Sequence, residues 1–201
     1  MANSDRHSVA HLNPKEDDWP SGLALSKIEF LDHIGDPQSL NNSPIALFCS
    51  SNCSGSAILR SLKWVGELAT GDRPVIGGFH SAVEKSFLEV LLTGDCPLIV
   101  CPPRSLARYR IPAEYLSAID SGRLSIVSSQ SESVRTNSAK SSLSRNRMVA
   151  ELATEVVVAH AAEGSKTEQF ALDLVAQGET VSCLDPECKT LLTAGAKLIS
   201  L

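Results

Sequence analysis

The residues best placed to do chemistry fall in three short polar stretches, each set between an apolar run and a helical pattern. Ser50-Ser51-Asn52-Cys53-Ser54-Gly55 follows Ile45–Cys49, Gly77-Gly78-Phe79-His80-Ser81 follows Pro74–Ile76, and Glu163-Gly164-Ser165-Lys166-Thr167-Glu168 follows Glu155–Ala159. A helix N-terminus presents unpaired N–H groups and a partial positive charge, so each stretch favours an anion. Glycine lets the backbone approach a phosphate closely, and Ser and Thr add hydroxyl donors. Ser and Gly are also ordinary turn and N-cap residues, so a single loop of this kind carries little weight. Three together point to one phosphate-binding edge. Its candidate residues are Ser50, Ser51, Asn52 and Gly55, then Gly77, Gly78, His80 and Ser81, then Gly164, Ser165, Lys166 and Thr167.

A fourth segment supplies positive charge. Between Ser128 and Arg147 stand Arg135, Lys140, Arg145 and Arg147, against the single acid Glu132. Arg145-Asn146-Arg147 lies near the start of a predicted helix, where paired guanidinium groups suit bidentate contact with phosphate. Helix-face arginines are equally often plain solvated surface. Glu84 and Glu168 are the candidate general bases or cation stabilisers, although helix-face glutamates are usually only solvated. His80 and His160 lie near strand ends without a Ser-His-Asp order or metal spacing. No G-x4-G-K-[ST] loop occurs, nor a G-x-G-x-x-G after the first strand, so neither a P-loop nor a standard dinucleotide site is expected, and no cofactor is implied. Phe79 is the only aromatic in a candidate loop, so no aromatic ladder is predicted for stacking bases.

These loops need elements to position them. Helices are predicted over Ser54–Thr70, Ser81–Leu92, Leu143–Ala153 and Lys166–Ala176, with shorter ones at Ser105–Tyr109, Pro112–Asp120 and Cys188–Ala194. Between them lie the apolar runs Ile45–Cys49, Pro74–Ile76, Leu98–Cys101, Leu124–Val127, Glu155–Ala159, Thr180–Leu184 and Lys197–Ile199. Continuous apolar strands alternating with helices predict an α/β fold, a Rossmann-like, doubly wound, mainly parallel sheet in a single domain. The Val-Val-Val and Leu-Ile-Val runs argue against a four-helix bundle. Residues 1–22 read as a disordered acidic tail, and 23–201 as the folded domain, with 128–141 irregular and Ile28 to Ile34 a short helix or edge element.

With 201 residues and 43% hydrophobic content, the chain can bury a core without staples. Aromatics are only 4%, so Ile, Val, Leu and Ala must fill it. The net charge of −5 is concentrated at the start: residues 1–43 hold −4 of it, leaving the remainder near neutral and able to carry a basic patch. No apolar run reaches the length of a membrane span and no secretory leader is visible, so a cytoplasmic protein without membrane association is expected. The six cysteines are spaced C-x3-C and C-x4-C rather than in paired C-x2-C, which predicts buried free thiols and no metal site.

Taken in order, these motifs resemble the DNA-processing protein A (DprA/Smf) family, over about Pro44 to Ile199. Arg145-Asn146-Arg147-Met148-Val149-Ala150-Glu151-Leu152-Ala153 is similar to the family's R-N-R-[IF]-[IV]-A-x-L. Gly164-Ser165-Lys166-Thr167 with Ala171 resembles its S-G-S-x-x-T-A loop, Gly77 to Glu84 its S-G-x-A-x-G-I-D turn, and Leu191 to Ala196 its closing L-I-x-x-G-A. The family's first strand ends in G-S-R; here Ser50-Ser51-Asn52 stands there without an arginine, and Glu84 replaces the usual Asp. The resemblance implies an extended Rossmann fold, a bacterial protein of DNA-mediated transformation that binds single-stranded DNA or a nucleotide, and a recombinase as partner. A homodimer through an exposed sheet edge is expected. Gly164 to Glu168 also loosely resembles the loop of the "Lonely guy", lysine-decarboxylase-like phosphoribohydrolases. That resemblance gives the second reading, an N-glycosidic hydrolase of nucleoside monophosphates using Glu84 or Glu168. A third is a nucleotide sensor without catalysis. Of these, binding without catalysis is the expectation.

Overall fold

A computed structural model describes residues 5–20, 23 and 28–200. Their strands form one sheet: β1 Ala10–Leu12, β2 Leu31–Ile34, β3 Ile45–Cys49, β4 Val75–Gly77, β5 Leu98–Val100, β6 Leu124–Ser128, β7 Glu155–His160, β8 Val181–Cys183 and β9 Lys197–Leu198. The order across the sheet is β1-β2-β6-β5-β4-β3-β7-β8-β9. From β6 to β9 every neighbouring pair is parallel, while β1 and β2 run antiparallel on the β6 side. The chain starts the parallel part in the middle, at β3, winds outward to β6, then returns to β7 beside β3. The topological switch point therefore lies between β3 and β7, and their carboxyl ends frame a crevice.

The helices are α1 Gly55–Ala69, α2 Ala82–Thr93, α3 Leu116–Asp120, α4 Ala139–Leu152, α5 Lys166–Ala176 and α6 Lys189–Ala194. Alternation along each strand sends successive side chains to opposite faces. Ile45, Leu47, Val75, Leu98, Val100 and Val157 meet Val65, Phe87, Leu91 and Ile119 of α1, α2 and α3. Ala46, Phe48, Ile76, Ile99, Val156 and Val158 meet Met148, Val149, Phe170, Leu174 and Leu191 of α4, α5 and α6. Both faces are covered, which is why these strands read as unbroken apolar runs. Phe48 and Phe170 pack edge to face at 5.3 Å on the second face.

Several expectations meet the structure here. The tail expected at residues 1–22 contributes β1, and Leu12 is buried in the core. His11 Nδ1 meets Asp32 Oδ1 at 2.7 Å, and Arg6 donates to the Asp120 carbonyl at 2.6 Å, so polar contacts tie the segment down despite its polar composition. Residues 1–4 and 21–22 of that tail lie outside the described residues. Of the two readings left open for the segment after Ile28, a short helix or an edge element, the second holds: 31–34 is a strand beside β6, with Leu31 and Ile34 buried and the residues between half-exposed. The helix α4 begins at Ala139 rather than Leu143, within the Ser-rich stretch expected to be irregular. Ser138 and Ser141 form a reciprocal cap there; serine weakens helix interiors but starts helices well. The short helix expected at Ser105–Tyr109 is a turn instead, and the Ser105 N–H donates to the Val134 carbonyl at 2.9 Å.

Among the described residues, no helix is long and apolar enough to cross a membrane.

Candidate functional site

All three candidate loops emerge from the carboxyl ends of the strands, after β3, β4 and β7. They are stitched to each other. Ser50 is buried; its hydroxyl accepts the Ala162 N–H at 3.0 Å and lies 2.9 Å from the Ser165 hydroxyl, closing the crevice floor between β3 and β7. The Ser50 N–H donates to the His160 carbonyl at 2.9 Å.

Two of the three anion-friendly helix starts are occupied by the chain's own carboxylates. Glu84, buried, accepts the Cys49 N–H at 3.2 Å, the His80 N–H at 3.0 Å and the Ser81 N–H at 3.1 Å, while the Ser81 hydroxyl accepts the Glu84 N–H. Glu168 accepts the Gly164 N–H at 2.7 Å, and Ser165 caps the Glu168 N–H at 3.1 Å. These glutamates, candidates for acid–base work, thus hold the loops in shape and neutralise the helix ends a phosphate would have used. The α1 start differs. Its first turn carries no acid, Ser54 caps the Ala57 N–H at 3.2 Å, and Ser51, Asn52 and Gly55 are exposed. Lys166 is exposed at the first position of α5, with Thr167 half-buried behind it.

The R-N-R segment splits. Residues two apart on a helix face different directions. Arg145 turns inward and is buried; it donates to the Cys101 carbonyl at 2.9 Å and to Asn146 Oδ1 at 2.8 Å. Its guanidinium fills the space beside Gly78, where any Cβ would overlap it. Burial lowers its pKa, opposed by the Glu84 carboxylate. Burial also pushes the Cys101 thiol up to about 12, opposed by Arg145. Arg147 instead is exposed, beside Lys140, Glu151, Phe30 and Glu29 on another surface. The two arginines do not share one edge.

The structure adds residues that the loop motifs missed. A cavity of about 260 Å³ opens over the carboxyl ends of β4 and β5, lined by Gly78, Phe79, His80, Pro102, Pro103, Arg104, Tyr109, Tyr115 and Asn137. Arg104 sits over the Tyr109 ring at 5.0 Å. It also borders a second cleft of about 140 Å³ shared with Arg108, Arg135 and Glu132. Tyr109 and Tyr115, from the segment after β5, line the same cavity as Phe79; Phe79 and Tyr115 are buried, and Tyr109 is half-exposed. The crowding of Arg104, Arg108 and Arg110 around Tyr109 in the sequence was the available signal. Phe79 itself holds a left-handed backbone, φ 45°, which non-glycine residues rarely adopt and which concentrates at functional sites.

On the far side of the crevice, His160, Asp185 and Cys188 converge, although cysteine spacing predicted no such cluster. His160 Nδ1 lies 2.8 Å from Asp185 Oδ2 and 4.0 Å from Cys188 Sγ. A hydrogen bond from the Cys183 thiol holds the Cys188 thiol below its ordinary pKa, against the effect of burial.

No protein-family model and no curated protein matches the chain. Solved structures do. The chain superposes on DNA processing protein A (DprA) from Streptococcus pneumoniae with a TM-score of 0.78, over 97% of this chain and 72% of that one, at 18% identity. The fold is that of DprA. DprA from Helicobacter pylori, a structure that describes its single-stranded DNA binding mode, gives 0.76 at 19% identity, over 97% and 92% of the two chains. A molybdenum cofactor carrier protein from Chlamydomonas reinhardtii is more distant, with a TM-score of 0.51 at 13% identity over 79% and 90%. Within the DprA fold, the R-N-R segment lies on α4 and its first arginine reaches the strand ends beneath the Phe79 cavity.

Proposed function

We propose that the chain binds single-stranded DNA across the carboxyl edge of its sheet, with a base and its phosphate received at the Phe79–Tyr109 cavity. The observation that carries this is the joining of a half-exposed aromatic ring to a cationic rim: Tyr109 lines the cavity with the buried Phe79 and Tyr115 behind it, and Arg104 lies over the Tyr109 ring beside Arg108 and Arg135. Stacked guanidinium and aromatic planes accept bases of any sequence, and the arginine edges take phosphate. The strand continues past His80 to the exposed Ser51, Asn52 and Gly55 at the start of α1, which carries no acid of its own. Lys166 extends the path beyond the crevice. The likeness to the H. pylori DprA, described with single-stranded DNA, supports this choice over a mononucleotide. The reading includes a homodimer and a recombinase as protein partner, testable by sedimentation and by co-purification with a recombinase.

Fluorescence anisotropy with a labelled oligo-dT at rising salt tests the reading. Binding is expected at low salt and falls with log salt; Arg104→Ala and Arg135→Ala each lower the slope by about one contact. Arg147→Ala, on the other surface, leaves it unchanged. Absence of oligonucleotide binding at low salt overturns the reading, and loss only in Arg147→Ala moves the site to α4's outer face.

A further inference from the structure

The cluster beside the crevice has the chemistry of a metal site. We propose that His160 Nδ1, Asp185 Oδ2 and Cys188 Sγ bind one zinc ion at the carboxyl ends of β7 and β8, with water in the fourth position. The donor atoms all lie within 4.8 Å of one another, and they come from the end of β7 and the turn after β8, elements fixed in the sheet. Zinc takes mixed nitrogen, oxygen and thiolate donors in a tetrahedron, and three protein ligands leave one position for water.

The arrangement is unsuited to the obvious alternative. In a Cys-His-Asp relay the carboxylate and the nucleophile engage opposite ring nitrogens. Here both face Nδ1, at 2.8 Å and 4.0 Å, so proton relay from Cys188 through the ring to Asp185 has no path. Three groups aimed at one point suit a cation held between them.

The surroundings hold the donors in place. Asp185 Oδ1 accepts the Glu187 N–H at 3.0 Å, which leaves Oδ2 to turn inward. The Ala161 N–H donates to Cys188 Sγ at 3.2 Å, a contact that favours thiolate. Asp185 and Cys188 are buried and His160 is largely so. A dication there is neutralised by one carboxylate and one thiolate, so the buried site carries no net charge once filled. On binding, the Cys188 thiol proton leaves to solvent. His160 binds as the neutral tautomer with its proton on Nε2, and the His160–Asp185 hydrogen bond is exchanged for two metal bonds.

The test uses the full chain after treatment with a chelator, titrated with cobalt(II) and then zinc. The expected result is one cobalt per chain with thiolate-to-cobalt charge-transfer absorption, displaced by zinc, and zinc protection of Cys188 from alkylation as read by peptide mass spectrometry. Asp185→Asn, which keeps the side chain's shape, is expected to weaken binding at least tenfold, and Cys188→Ala to abolish the charge-transfer band. Cys96→Ala, a buried thiol at the opposite end of β5, leaves both intact. A titration of the unaltered chain without the thiolate band overturns the proposal whether or not any variant folds, as does a band that survives in Cys188→Ala. DNA binding is measured separately, so failure of one reading leaves the other standing.

Discussion

The Arg145 guanidinium occupies the space in which a Cβ on Gly78 would stand, and from there donates to the Cys101 carbonyl. Glycine at 78 therefore makes room for a long side chain from α4, far away in sequence, and its own backbone angles do not call for it. This contact fixes the floor of the Phe79 cavity, because Gly78 lines it and Arg145 supports it from below.

Gly78→Ala is expected to destabilise the fold by about 1–3 kcal/mol, the range for inserting a methyl into a filled site. In an Arg145→Ala background the same substitution is expected to cost much less, since the overlapping group is gone. Urea denaturation of the single and double variants measures the coupling.

Glu84 acts through the three backbone N–H groups it accepts. Removing it in Glu84→Ala leaves the buried Cys49 N–H unpaired and releases the partly exposed His80 and Ser81 N–H groups to solvent, an expected loss of about 1–3 kcal/mol. Glu168→Ala, which frees the Gly164 N–H alone, is expected to lose about 1–2 kcal/mol. Thermal and urea melts check both; unchanged stability in Glu84→Ala would show that the carboxylate does not hold the loop.

Ser50 and Ser165 join the β3 and β7 loops across the switch point. Ser50→Ala is expected to cost about 1–2 kcal/mol, because the Ala162 N–H loses its acceptor. Hydrogen exchange at Ala162 should quicken in that variant while amides in β5 stay protected, which localises the effect to the crevice.

Stability is expected to fall as the solution is acidified through the range just below His33's ordinary value of 6.5. Burial lowers the His33 pKa, only partly offset by its hydrogen bond to the Gly35 carbonyl and by Asp18, Asp36 and Asp32. Between the lowered value and 6.5 the unfolded chain binds the proton more readily, so stability is full above that window and lost on passing below it. Urea midpoints at about pH 7.5 and about pH 5.5, with His33→Gln flattening the difference, check the sign.

Much of the architecture was legible in the residues. The runs at Ile45–Cys49, Leu98–Val100 and Glu155–His160 are apolar on both faces, and only a covered parallel sheet accommodates that. The helix after each candidate loop was equally visible in its spacing and its Ser54, Ser81 and Ser165 caps. The N-terminal strand was hidden because Ala10–Leu12 buries Leu12 alone, and its place depends on pairing with β2 rather than on its own composition. Arg145 and Arg147 looked equivalent in a linear motif, and only the helix surface told a buried arginine from an exposed one.

The sequence by itself determined the doubly wound fold and the placement of the three polar loops at the carboxyl ends of its strands, because hydrophobic periodicity and helix caps are local properties. The tertiary structure alone decided which loop N–H groups are already filled by Glu84 and Glu168. It also decided that Phe79, Arg104 and Tyr109 share one cavity, and that His160, Asp185 and Cys188 meet at one point. These depend on strand order and on contacts between segments distant in the chain, which no short window of residues contains.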